Sequence, residues 1–400
     1  MKVRKLILGF MATAFLGIAA WAQKPVLKFH ADSKKFKIVQ FTDLHLKWQD
    51  ERSEVAYERI NQVLDEEKPD LVVFTGDIIY SQPAKDNLRR VLKTVSDRKI
   101  PFSIVFGNHD HEQGTPHKEL LEVAQSLPYN LTADEVPEIS GDGNYALAVR
   151  SSDDKKDAAV LYCFDSNAYS SIKGIDGYDY IKFDQIDWYR SRSQAFTEAN
   201  GGTPLLSLAF FHIPLPEYHQ AIADENATVY GIRREIACAP VLNSGLFTAM
   251  KEQGDVKGVF VGHDHDNDYA VYWQGILLAY GRFSGGPTEY NHLPNGARII
   301  ELDEASGKYA TWIRTKKGVE QYTIFPDSYV KTKYILKKTP AFHQKTPGIY
   351  EKPASFSAFI GMNFGPSDRV FRLLADLHSY LPVWGNSSGT SGNDIPNTTD

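Results

Sequence analysis

Short apolar runs that each stop at a polar or acidic cluster limit this chain more than any other feature of its sequence. Phe36-Lys-Ile-Val-Gln-Phe41 reads as a strand and ends in Thr42-Asp-Leu-His45. A helical pattern over Val55 to Glu66 follows, with Val55, Ile60, Val63 and Leu64 on its apolar side. Leu71-Val-Val-Phe-Thr75 is a short buried strand that stops at Gly76-Asp-Ile-Ile-Tyr80. A helix over Lys85 to Ser96 and a strand over Phe102 to Phe106 lead to Gly107-Asn-His-Asp110. Strands alternating with helices require right-handed crossovers and neighbouring parallel strands. Functional groups in such sheets gather at the carboxyl ends of the strands, and each polar cluster sits at one.

The same grammar returns later in the chain. Asn144 to Val149 and Val160 to Phe164 read as strands, and Asp184 to Ala199 reads as a helix. Leu205 to Phe211 is a buried strand ending in His212-Ile-Pro-Leu-Pro216. Glu217 to Pro240 has little periodicity and is expected to be a long loop over the site. A helix over Asn243 to Glu252 leads into Val259-Phe-Val-Gly-His-Asp-His265. On an extended backbone His263 and His265 project to the same side, because the side-chain period of a strand is two. Two imidazoles so placed can serve one metal, or one each of two adjacent metals. Tyr269 to Trp273, Ile276 to Tyr280, Ala297 to Leu302 and Ala310 to Arg314 alternate like antiparallel strands of a second sheet.

Composition narrows the function classes. A net charge of −6, with no long run of one sign, disfavours a nucleic-acid surface but leaves a nucleotide substrate open. Lys2, Arg4 and Lys5 precede an apolar run from Leu6 to Ala20, and Ala20-Trp-Ala22 is a small-x-small site. That layout predicts a secretory signal over residues 1–22, cleaved after Ala22, and hence a secreted or periplasmic protein. No other stretch approaches the roughly 20 apolar residues of a membrane span. With only Cys163 and Cys238 in the chain, two buried thiols are expected rather than a disulfide. After about Tyr322, Lys and Pro become frequent. Residues 323–400 therefore read as a C-terminal extension, with a helix over Asp368 to Tyr380 and a disordered tail from about Gly385.

Taken together, Asp43 with His45, Asp77, Asn108 with His109, His212, and His263 with His265 follow the order D-x-H, G-D, G-N-H-[DE], a lone His, and G-H-x-H. This chain resembles the calcineurin-like metallophosphoesterase superfamily, and within it the short purple acid phosphatase-like proteins of the D-x-H type. Asp165-Ser166, Gly177 to Lys182, Val241 to Gly245 and Gly281 to Gly286 add to the likeness, which runs from about Lys35 to Arg314. The resemblance implies a four-layer α/β/β/α domain over residues 23–322, with two mixed β-sheets packed as a sandwich and flanked by helices. It implies two metal ions, Fe, Mn or Zn, and a small-molecule phosphate ester as substrate. Hydrolysis would proceed by attack of a metal-bridging hydroxide, on phosphomonoesters first and phosphodiesters second; a non-catalytic metal-binding surface protein is the rival.

Carried onto this chain, the family's roles give Asp43, His45, Asp77 and His265 to the first metal. Asp77, Asn108, His212 and His263 go to the second, so Asp77 bridges. His109 would face the leaving oxygen as general acid or transition-state stabiliser, oriented by a carboxylate that the sequence does not identify. Purple enzymes carry D-x-G and a metal-binding Tyr three residues after the bridging Asp. Here His45 is expected to take that tyrosine's place, which leaves Tyr80 a neighbouring aromatic. His111 lies near enough to reach substrate, whereas His30, His117, His219, His292, His343 and His378 are expected to be solvated. Asp264 and Asp266 are expected to bond the loop or orient the ligand histidines. Asn130, Asn226 and Asn397 head glycosylation sequons.

Overall fold

The structure is a computed structural model and describes residues 24–330. β1 (Lys35–Phe41), β2 (Leu71–Thr75) and β3 (Phe102–Val105) run parallel in one sheet, joined through α1 (Glu51–Glu67) and α2 (Ala84–Ser96). After α3 (His117–Gln125) the chain crosses to a second sheet with β4 (Tyr145–Arg150) and β5 (Asp157–Cys163). That sheet continues through α4 (Phe183–Ala199), β6 (Leu206–Phe210), α5 (Glu217–Ala223), β7 (Val229–Tyr230), α6 (Leu246–Gln253) and β8 (Val256–Val261). β9 (Ala270–Trp273) and β10 (Ile276–Tyr280) finish it in the order β4-β5-β6-β8-β10-β9-β7. β11 (Gly296–Asp303), β12 (Lys308–Thr315) and β13 (Gly318–Phe325) return to the first sheet, ordered β13-β12-β11-β1-β2-β3.

Alternation along the strands builds four layers. In β1, Val39 and Phe41 pack outward against α1 and α2, with Ile60, Val63, Leu88 and Val91, while Phe36 and Ile38 face the other sheet. In β8, Val259 and Val261 pack outward against α6 and its neighbours, while Phe260 points inward to meet Phe210. The central strands of each sheet are thus buried on both faces, which is why β2 is apolar through Leu71, Val72, Val73 and Phe74 rather than alternating. Full burial of each such side chain is worth about 1.5–3 kcal/mol.

Several expectations change. The four late strands do not form a sheet of their own: β9 and β10 extend the β8 sheet, and β11 and β12 pair onto β1. Glu217 to Pro240 is not all loop, since α5 and the two-residue β7 lie within it. α3 and β13 were not anticipated, and β13 carries regular structure to Phe325. Cys163 is buried as expected, but Cys238 is exposed; both are free thiols. The Asn130 side chain is buried and bonded to the Thr132 backbone, so its sequon is closed in the folded protein. No helix among the described residues is long and apolar enough to cross a membrane. The signal segment, the C-terminal helix and tail, His343, His378 and Asn397 lie outside the described residues.

Candidate metal centre

Asp43, His45, Asp77, Asn108, His109, His212, His263 and His265 all sit just past the C-terminal end of a parallel strand: β1, β2 and β3 from one sheet, β6 and β8 from the other. The turns there are tight. Asp43, His45, Asp77 and His263 all hold positive φ (54°, 44°, 50° and 81°), a region that costs a residue with a Cβ about 1–3 kcal/mol. Backbone bonds to carboxylates offset that cost. Asp43 accepts from the N–H of His263 at 3.0 and 3.1 Å. Asp110 accepts from the N–H groups of Asp77, Ile78, Ile79 and Gly107 at 2.8–3.1 Å. Hydrogen bonds to a charged group are worth about 1.5–3 kcal/mol each, enough to hold such turns. Asp110 had no assigned role from sequence, yet it shapes the loop that carries Asp77.

Two glycines let the sheets converge. A Cβ on Gly262 would stand 2.0 Å from Thr42 Oγ1, and one on Gly76 would stand 2.6 Å from His212 Nδ1. Only a residue without a Cβ fits at either place. Buried Gln40 fastens the same junction, donating to Val261 O at 3.0 Å and Thr75 Oγ1 at 2.9 Å.

The converging side chains form two buried groups, Asp43 with His45 and His265, and Asp77 with His212 and His263. Within each group one ligand atom per residue lies within 4.8 Å of the others. His45 Nε2 is 3.0 Å from His265 Nε2, and His212 Nε2 is 3.3 Å from His263 Nδ1. Asp77 Oδ2 stands 3.1 Å from His212 Nε2 and 3.7 Å from His45 Nε2, between the groups. Carbonyl acceptors set two tautomers: His212 Nδ1 donates to Thr75 O and His265 Nδ1 to Tyr290 O, both at 2.8 Å, leaving each Nε2 lone pair facing inward.

Charge at the centre is arranged for cations. Burial pulls His212 down, but Asp77, with Asp43 behind it, outweighs burial and lifts its pKa to about 10. Burial raises Asp77 as well, yet the His212 imidazole beside it holds its carboxyl well below the usual range. Burial and the adjoining imidazoles keep His45 and His263 far below 6.5 and so neutral. The negative field that retains a proton on His212 also favours a metal ion in that proton's place. Asn108 adds a direct test of fit. Its Oδ1 is buried with no hydrogen-bond donor, while its Nδ2 donates to Tyr169 Oη at 3.1 Å. An unmet buried acceptor costs about 1–3 kcal/mol, and a cation would satisfy it. Imidazole, carboxylate and amide oxygen, without thiolate, form a donor set that fits transition-metal ions.

His109 lies at the rim. Its backbone N–H donates to Asp77 Oδ1 at 2.9 Å, and its Nδ1 meets Glu112 Oε2 at 2.5 Å. Glu112 is therefore the orienting carboxylate that the sequence left unnamed. Tyr80 packs its ring edge-on to His45 and His109, with centroids 5.3 and 5.1 Å apart. His111 is half-buried against His117 at 4.9 Å. His117 is not solvated: it stacks on Phe106 and faces Asp165 at 3.6 Å. His219 is exposed. His30 and His292 are exposed too, bonded to Asp70 and Asp266. Asp264 and Asp266 bond the loops around them, through Tyr280, Cys238 and His292, rather than the rings of His263 or His265. Within Gly281 to Gly286, Arg282 is fully buried in an ion pair with Asp268, and Ser284 Oγ accepts from the N–H of Thr42 at 3.2 Å. That segment is packing behind the site.

Residues 36–267 match the family described as calcineurin-like phosphoesterase. An Arabidopsis thaliana protein named "Probable inactive purple acid phosphatase 29" is 35% identical over 340 residues, covering 76% of this chain and 86% of that protein. The Saccharomyces cerevisiae protein "Phosphatase DCR2" is 36% identical over 319 residues, covering 71% of this chain and 54% of that protein. Among solved structures, a dimetal phosphatase from Danio rerio matches with a TM-score of 0.48 and 13% identity, over 72% of this chain and 98% of that one.

Proposed function

Because this chain belongs to the calcineurin-like phosphoesterase family, we propose that it hydrolyses small-molecule phosphate esters at a dinuclear metal centre, phosphomonoesters in preference to diesters. The observation that carries this reading is the place of Asp77, one of whose carboxylate oxygens lies within 3.7 Å of both histidine groups. Asp43, His45, Asp77 and His265 would hold one cation; Asp77, Asn108, His212 and His263 would hold the other. The donor set suits Fe, Mn or Zn. Two such ions supply Lewis-acid neutralisation of phosphoryl charge and a lowered pKa for the attacking water.

The protein's own groups do the rest. His109 Nδ1 is engaged by Glu112, which leaves Nε2 to hold a proton toward the leaving oxygen. The half-exposed ring lets an ester reach it, while the buried ligand groups exclude bulk water. The word "inactive" in the Arabidopsis relative's name points to a rival, a metal-binding protein without turnover. Against it stands His109, held by Glu112 at the rim beside an intact donor set, a group that metal binding alone does not require. On its basic start and apolar run, residues 1–22 are a signal, so the enzyme acts outside the cytoplasm with Gln23 as its mature N-terminus.

Metal analysis of the purified protein, run beside assays on aryl phosphate monoesters and diesters, tests the proposal. Two bound transition-metal ions with faster monoester cleavage support it. Metal without turnover favours the rival, and neither metal nor turnover removes both.

A further inference from the structure

We propose that Tyr169 is a positioning residue whose single hydroxyl fixes both the amide of Asn108 and the carboxylate that holds His109. The inference rests on the reading of Asn108 as a cation ligand and of His109 as the group facing the leaving oxygen. Tyr169 lies between β5 and α4, outside all five motifs, on a short antiparallel turn with Tyr178. The residue is 46% exposed, and its ring stacks on Tyr178, which in turn meets His263 edge-on at 4.2 Å.

The two ends of an asparagine amide are nearly alike in size, but only the oxygen can face a cation. Something must therefore choose the orientation. A tyrosine hydroxyl has one hydrogen to give. Tyr169 Oη is 2.7 Å from Glu112 Oε1, an acceptor, so its hydrogen goes there. Toward Asn108, 3.1 Å away, Oη can then only accept. The Nδ2 end must face Tyr169, and Oδ1 is turned away, buried and free of any donor. Glu112 uses its other oxygen for His109 Nδ1 at 2.5 Å. The bonds run in one consistent sense: Asn108 amide to Tyr169 hydroxyl, hydroxyl to Glu112, and His109 Nδ1–H to Glu112 from the other side. A flipped amide would set Oδ1 against an oxygen with no hydrogen left and turn its NH2 toward the metal position. One rim hydroxyl thus orients a ligand and the acid together.

Tyr169→Phe keeps the ring and its stack and removes only the hydroxyl. Mn2+ titrated calorimetrically into metal-free protein should show the weaker site losing about tenfold in affinity in this variant, the scale of an outer-shell ligand contact. Asn108→Asp supplies the control, because either carboxylate oxygen can face the ion and no acceptor is needed to choose between the two ends. In that background Tyr169→Phe should change Mn2+ affinity by less than about twofold, the mark of coupled residues in a double-mutant cycle. Equal losses in both backgrounds, or no loss in either, overturn the proposal. For the His109 end, kcat at saturating Mn2+ should fall about tenfold further for an alkyl phosphate than for p-nitrophenyl phosphate, whose leaving group needs little protonation. KM should stay within about twofold, since the interaction lost acts on the departing group. A fall that is the same for both esters overturns the Glu112 link. Wild-type protein that binds two Mn2+ ions but cleaves no ester removes the proposed reaction and leaves the titration to decide on Tyr169. Wild-type protein that binds none removes the metal centre and this inference with it.

Discussion

Asp43 accepts the backbone N–H of His263 on both carboxylate oxygens, at 3.0 and 3.1 Å, tying the first loop of one sheet to the histidine loop of the other. His263 holds a φ of 81° there, so the bond restrains a strained turn as well as joining two sheets. Asp43 therefore has a structural task in addition to its proposed place at a metal. Asp43→Ala should destabilise the metal-free protein by about 1–3 kcal/mol, because it leaves a buried N–H unmet. Urea unfolding in the presence of a chelator measures this. An unchanged midpoint would mean that the tie contributes nothing without metal.

Asp77→Asn separates fold from function more cleanly. The amide keeps an oxygen for the N–H of His109 but puts a donor where Oδ2 faced His212 and His45. Retention of both cations after desalting should be lost, and aryl phosphatase activity should drop at least ~100-fold, with an unchanged circular dichroism spectrum. Full turnover in this variant would sink the two-metal reading.

Tyr80 packs by its ring edge against His45 and His109, and Lys47 Nζ lies 4.9 Å from its ring centre. His45 fills the first group in its stead. Iron-loaded protein is therefore expected to lack a strong tyrosinate–iron band, and Tyr80→Phe should leave its visible spectrum unchanged. An intense band that disappears in Tyr80→Phe would place the tyrosine on the metal.

The His117–Asp165 pair sets a pH window on stability. Burial lowers His117, but Asp165 outweighs it and raises the imidazole above its ordinary 6.5. Burial raises Asp165, but His117 and two backbone N–H groups outweigh it and hold the carboxyl below 3.8. The raised His contributes fully below pH 6.5 and loses its contribution as pH climbs through its folded pKa. The lowered Asp contributes fully above pH 3.8 and loses its contribution as pH falls through its own. The stability gap between wild type and Asp165→Asn should thus be widest between those two values and should narrow on either side. Denaturant midpoints across pH 3–9 measure it, and a gap that does not vary with pH contradicts the pairing.

How far the sequence could be read depended on whether a role is local. Asp43, His45, Asp77, Asn108, His212, His263 and His265 were legible because each directly follows a strand, and strand ends are where such folds gather chemistry. Glu112 was within reach: it lies three residues after His109 in a turn closed by Glu112 N–H to His109 O at 3.2 Å. Tyr169 was not, since nothing in its own segment says which loop it will cover. Sheet membership of β9 to β12 was illegible for a different reason. Alternation reports that a strand has a buried face, and it is the same whichever sheet that face belongs to. β7 escaped because both its residues are exposed and only its pairing with β9 makes it a strand. The burial of His117 arises from Phe106 and Asp165, neither of which its neighbours in sequence foretell.

The pairing of β1 with β11, from Lys35 with Asp303 to Gln40 with Arg298, carries a consequence for the order of assembly. β1, the first strand among the described residues, lies in mid-sheet, with one edge open until β11 has emerged. The loops bearing Asp43 and His45 can settle only when that edge is covered and the second sheet has docked. Contacts so distant in sequence form late in folding. At the proposed metal centre, cation uptake is then expected as a closing event, open only once the last strands have fallen into place.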